Sequence, residues 1–179
     1  MTMRVAAKSF LALVLSTAAC TLAGAPPAIS AADRARFPEH VETIDGEAID
    51  LAAIAKTKTL VVVTVKATWC PVCRRQLERI QEKRTELERC GVSFVVLGPG
   101  PREELRKLRD ETGSPDPFVE DRDLAIAGRL GLRLGEDQIE PAILILEPDL
   151  EIGWAQLGRS ERFYGDGALQ RKVDCWLSV

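Results

Sequence analysis

Residues 60–76, LVVVTVKATWCPVCRRQ, set a run of aliphatic and β-branched side chains directly before a two-cysteine turn. A short, nearly continuous apolar run such as Leu60 to Val65 predicts a strand buried on both faces, as in a parallel sheet. Pro71 follows Cys70 where a first helical residue tolerates a missing N–H and a fixed φ, so Cys70 is expected at a helix N-cap. Leu77, Ile80, Arg84 and Leu87 keep near-helical spacing, which puts Cys73 on the same face one turn deeper. The two sulfurs can therefore meet.

The chemistry that needs this spacing is thiol–disulfide exchange, in which one thiolate attacks a disulfide and a neighbouring thiol resolves the mixed disulfide. Cys70 is the expected attacking residue, because free N–H groups and the helix dipole favour its thiolate. Cys73, further inside the helix, is the expected resolving one. Half of a zinc site and two inert buried cysteines are the competing readings. Zinc needs about four ligands, and the sequence holds no second CxxC or HxxxH; its single histidine, His40, lies well before the strand. No metal and no cofactor is expected.

The segment ATWCPVCRRQL resembles the active site of thioredoxin-like proteins of the TlpA and ResA type, within the redoxin, AhpC/TSA-like superfamily. The resemblance covers roughly Val41 to Leu177. It implies an α/β thioredoxin-like fold, with a central mixed β-sheet flanked by helices and an N-terminal hairpin extension. It also implies a cis-proline facing the CxxC turn, for which Pro141 is the matching residue, and substrate pairing along the backbone of Glu140. Relatives commonly keep cysteines reduced for cytochrome c maturation or metal-site assembly, with electrons from a membrane partner. The direction of transfer is not legible in CPVC.

The surrounding chain fits one domain of ordinary size, at 179 residues and 46% hydrophobic composition. Its formal charge of −3, with basic and acidic residues interleaved, gives no support to nucleic-acid binding. Residues 33–59 are expected to form an N-terminal extension, since Val41 to Leu51 alternates around Asp45-Gly46 as a hairpin does. Leu51 to Ala55 fits a helical turn. The redox domain then occupies residues 60–179. Val92 to Leu97 predicts a second buried strand, broken at Gly98-Pro99-Gly100-Pro101. A helix from Pro101, with Glu103 and Glu104 early and Arg109 late, suits the dipole, and Gly113 to Pro117 ends it. Phe118 and Val119 suit a short strand, Asp121 to Leu130 a helix, and Ala142 to Leu146 and Ile152 to Leu157 two more strands. Gly165 to Leu177 predicts a closing helix.

Residues 1–32 read as a secretory signal, cleaved or kept as an anchor. Arg4 and Lys8 precede the apolar run Phe10 to Ala23, and small-residue cleavage sites follow. Cys20 ends a loose match to a lipobox, so lipid attachment there is an alternative. These features predict a secreted or periplasmic protein. Four cysteines then remain, and an even number in an oxidising compartment favours two pairs. The resemblance packs the active-site helix and the last helix on one face of the sheet, implying a structural Cys90–Cys175 disulfide.

Several positions depart from the family pattern. Thr64 stands where thioredoxin buries an acid, Gln76 where many ResA-like proteins carry glutamate, Glu140 where a β-branched residue is common, and Lys66 where an aromatic is common. Lys66 and Glu140 are candidates to tune the Cys70 thiolate if both face the site, and surface residues otherwise. Trp69 and Pro71 complete the supporting set. The expected function is thiol–disulfide exchange on protein cysteines, with a membrane electron donor as second partner. Peroxide reduction is the alternative, although Ala67 stands where peroxiredoxins carry threonine, three residues before the cysteine, and no proline lies between Pro38 and Pro71. A Cu(I)-binding chaperone is a further alternative, since two thiolates suit that ion.

Overall fold

The computed structural model describes residues 35–158, 169 and 171–173. At its centre, β3 (Thr59–Thr64) pairs in parallel with β4 (Val92–Gly98), which pairs in parallel with β5 (Phe118–Glu120). On the other side of β3, β8 (Ala142–Leu146) and then β9 (Ile152–Leu157) run antiparallel, so the sheet order is β5-β4-β3-β8-β9. This is the mixed sheet of the thioredoxin-like fold.

Alternation along β3 explains why its apolar run is unbroken. Val61 and Val63 pack on one face with Leu77, Ile80 and Leu87 of α2 (Pro71–Arg89) and Leu105 and Leu108 of α3 (Arg102–Thr112). Leu60 and Val62 point to the other face, against Leu51 and Ala55 of α1 (Leu51–Ala55) and Ala127 of α4 (Ala125–Arg129). With helices on both faces, neither set of side chains can be polar without cost. The helix ends obey the sequence: Asp50 caps α1 through Ala53 N–H, and Gly113 closes α3 in the left-handed region.

The expected hairpin forms from β1 (His40–Glu42) and β2 (Ala48–Asp50). The Thr43 hydroxyl accepts from the N–H groups of Asp45 and Glu47 inside its turn. Ile44 N–H donates to Phe118 O, and Thr43 bridges to Val119, so the hairpin covers the β5 edge of the sheet. Arg106 and Arg109 of α3 reach Asp45, and Arg106 also reaches the Ile44 carbonyl, fastening the turn from above.

Two elements differ from the sequence reading. The helix expected over residues 121–130 begins only at Ala125, because Leu124 takes a left-handed φ of 53°. Asp121 nevertheless acts as its cap from outside, accepting from the N–H groups of Ile126 and Ala127. A small hairpin, β6 (Arg133–Leu134) with β7 (Gln138–Ile139), occupies a stretch to which the pattern assigned no element. The expected signal segment, Cys20, Cys175 and most of the stretch expected to form a closing helix lie outside the described residues, although Leu169 is helical and buried in the core beside α2 and α3. Among the described residues no helix is long and apolar enough to cross a membrane.

Candidate active site

The site forms where β3 hands over to α2. Val65 still donates its N–H to Leu97 O, so the chain leaves the sheet only at Lys66. A turn closed by Cys70 N–H to Ala67 O then delivers Cys70 to the N-cap of α2, with Pro71 in the first turn. Cys70 and Cys73 are joined in a disulfide, their Cα atoms 5.3 Å apart. Cys73 is wholly buried and Cys70 is 6% exposed, so Cys70 is the more accessible of the two.

Backbone donors surround both sulfurs. Cys73 N–H points to Cys70 Sγ at 3.2 Å, and Lys66 N–H points to Cys73 Sγ at 3.3 Å. The first of these is a free donor of the helix N-terminus, the group that stabilises a thiolate when the bond is reduced. Trp69, 66% exposed, projects beside Cys70, and the Lys66 ammonium lies 5.7 Å from its ring centroid. Lys66 is thus at the half-exposed rim, engaged with an aromatic face, and no ion pair joins it to Glu140.

The region around Pro141 differs from what the resemblance implied. Among the described residues the cis peptide bond is Gly100–Pro101; Glu140–Pro141 is trans. The physical reason is the hairpin before it. Glu140 N–H donates to Leu132 O at 2.6 Å, and Glu140 O accepts from the Thr64 hydroxyl at 2.6 Å, which hold the segment as a direct lead from β7 into β8. Ile139 N–H donates to Lys66 O at 3.2 Å, tying β7 to the loop that carries the cysteines. The two acids missing from the family pattern are replaced by buried neutral groups. Thr64 spends its hydroxyl on Glu140, while Gln76 accepts from Arg79 and leaves its Nε2 without a hydrogen-bond partner.

Cys90 caps the far end of α2 and is disulfide-bonded. Cys175, its expected partner, lies outside the described residues. Among the described residues no group of three His, Cys, Asp or Glu side chains is placed to hold a metal ion. Sequence reasoning missed the groove beside the site, lined by Thr68, Trp69, Arg74, Glu104, Lys107 and Glu111 with Leu108 beneath them. Only the mixed charge of α3 hinted at it.

The sequence matches the AhpC/TSA family over residues 33–155, most of the chain and all of the site. The chain belongs to the AhpC/TSA family. It is thus a thioredoxin-fold redox protein of that family. Among curated proteins no significant match is found. Solved structures show how widely the fold is shared. Peroxiredoxin Q of Xanthomonas campestris superposes with a TM-score of 0.66 at 17% identity, over 79% of this chain and 97% of its own. Peroxidoxin BcpB of Mycobacterium tuberculosis gives 0.65 at 14%, over 79% and 94%. A putative protein disulfide isomerase from Bacteroides thetaiotaomicron gives 0.59 at 16%, over 78% and 84%. At such identities the likeness is one of fold, shared by proteins named for different reactions.

Proposed function

We propose that this member of the family is a thiol–disulfide oxidoreductase of the TlpA/ResA type, acting on protein cysteines. One observation carries the reading: a bonded Cys70–Cys73 pair spanning the first turn of α2, with Cys70 at the helix N-cap and Cys73 wholly buried behind it. In the dithiol form the Cys70 thiolate attacks one sulfur of a substrate disulfide, forming a mixed disulfide and releasing the other sulfur as a thiolate. The Cys73 thiolate then attacks Cys70 Sγ, closing the disulfide of this chain and releasing the second substrate thiolate. Two electrons pass to the substrate, whose two thiolates take up the protons that left Cys70 and Cys73. A reductant of this kind needs re-reduction, for which a membrane electron donor is proposed. The signal-like segment at residues 1–32 supports a periplasmic location, with the N-terminus as cleaved leader, anchor or lipid attachment point at Cys20. A structural bond from Cys90 to Cys175 suits the same oxidising compartment.

Peroxide reduction is the second reading, favoured by the fold of the peroxiredoxin neighbours. The site argues against it at one position: Ala67 presents a buried methyl where a peroxidatic site carries a hydroxyl. The deciding experiment equilibrates the mature protein with dithiothreitol, then follows the Cys73→Ser variant with a protein disulfide. A couple near −270 mV, typical of a thioredoxin-like reductant, and a trapped mixed disulfide through Cys70 are expected. Rapid peroxide turnover with no trapped protein would overturn the reading in favour of a peroxidase.

A further inference from the structure

We propose that substrates reach Cys70 along the groove between α2 and α3, held there by side chains, and not by backbone pairing at Glu140. The occupant is an extended segment of a protein disulfide carrying charges of both signs near its cysteine. The inference rests on the exchange function proposed above and names how its substrate is held.

On one flank of the cysteines, the backbone is already spent. Antiparallel pairing requires a residue to exchange both its N–H and its C=O with the incoming strand. Glu140 gives its single N–H proton to Leu132 O and its carbonyl takes the Thr64 hydroxyl, each at 2.6 Å. A carbonyl keeps a second lone pair, but the donor has nothing left to give. Ile139 N–H is likewise committed to Lys66 O, and Lys66 N–H to Cys73 Sγ. The β6–β7 hairpin is the reason, since Leu132 immediately precedes it and Ile139 ends it. Opening this edge for a substrate would break bonds that the chain makes with itself.

The other flank is open and varied in chemistry. Trp69, next in sequence to Cys70, stands exposed at the mouth of the groove, and buried Leu108 lies beneath the charged residues of α3. Arg74 and Glu111 pair with one another across it. Glu104 and Lys107, both exposed and one turn apart on α3, have no such partner among the described residues. The groove therefore offers an aromatic face and one unspent charge of each sign, continuous with the residue that flanks the attacking sulfur. A segment with a cation near Glu104 and an anion near Lys107 satisfies both. Aromatic side chains and arginines are also the groups that most often anchor protein interfaces.

The test compares disulfide-linked peptides of one sequence, with and without N-methyl groups on the residues flanking the cysteine. Under this proposal the wild-type kcat/KM values agree within about twofold, because no substrate N–H is used; one lost hydrogen bond costs about fivefold, from a net worth of about 1 kcal/mol. Slowing by about fivefold or more on methylation would show that backbone pairing is used and would overturn the proposal. A second measurement takes the kcat/KM ratio for peptides flanked by lysine or by glutamate. Glu104→Lys should move that ratio toward the acidic peptide by about fivefold or more, as reversal of a partly exposed contact does; an unchanged ratio would also overturn it. Failure of wild-type protein to exchange with either peptide is a different result, since it removes the exchange function itself.

Discussion

Thr64→Val tests whether one buried hydroxyl holds the segment beside the cysteines. Thr64 is wholly buried at the end of β3, and its Oγ1 lies 2.6 Å from Glu140 O but 3.5 Å from Ala142 O, so Glu140 receives the proton. Valine keeps the shape and the strand preference while replacing the hydroxyl by a methyl. The net loss of one hydrogen bond is about 0.5–1.5 kcal/mol, and a carbonyl left without its partner raises that toward 3. Glu140 is only half-buried, so water recovers part of the penalty, and the added methyl returns up to about 0.8 kcal/mol. A loss of about 1–2 kcal/mol results, equivalent to a Tm lower by about 3–8 °C in a domain of this size. Urea unfolding of the oxidised protein should show a lower midpoint with an unchanged slope. Thr64→Ser separates the contributions. It keeps the donor and loses the methyl, so it should leave hydrogen exchange at the Glu140 amide slow, whereas Thr64→Val should speed it. A valine variant within about 0.3 kcal/mol of wild type, with that amide still protected, would refute the assignment of the hydroxyl to Glu140.

Removing Asp121 should be costly in the same assay. Its buried carboxylate accepts from the N–H groups of Ile126 and Ala127, so Asp121→Ala should lose about 2–3 kcal/mol and Asp121→Asn, which keeps one acceptor oxygen, about half as much. Equal stability in both variants would mean the cap is not used. Gln76→Met removes a wholly buried amide whose Nε2 has no hydrogen-bond partner, at the expense of the bond from Arg79. The two effects oppose, and stability should stay within about 1 kcal/mol of wild type in chemical denaturation; a loss above about 2 would show that the amide nitrogen is satisfied after all.

The sheet strands were legible because burial on both faces leaves a plain mark. Leu60 to Val65, Val92 to Leu97 and Ala142 to Leu146 are apolar at nearly every position, and helices cover both faces of each. The cysteine turn was legible for a different reason: a proline one residue after a cysteine fixes both the helix start and the position of its first sulfur. The β6–β7 hairpin left no such mark. Its strands have two residues each, four of the residues from Arg133 to Ile139 are charged or amide-bearing, and both strands of the pair lie at the surface apart from Ile139. Gly135, at a φ of 72°, is the one local signal of its turn. Missing the hairpin carried over to Pro141. A resemblance can transfer a proline by its position in the chain, but not the peptide geometry that neighbouring hydrogen bonds impose.

The family and the site constrain function at different scales. The AhpC/TSA match comes from the sequence over residues 33–155, and the shared fold from strand order and core packing that a peroxiredoxin and a putative protein disulfide isomerase have in common. Within residues 67–73 lies the chemistry on which the proposed reading rests. A peroxide needs a donor to hold its oxygens at the attacking sulfur, and Ala67 supplies a methyl where a hydroxyl donor would stand. Cys73 has its N–H on Cys70 Sγ and its own sulfur bonded to it, so any oxidised Cys70 is captured within one helical turn. Proximity of that order converts resolution into an intramolecular step with a large effective concentration. The arrangement suits a cycle in which the internal disulfide is the oxidised product. The same scaffold thus admits either reaction, and the proposed reading rests on the seven residues at the strand-to-helix turn.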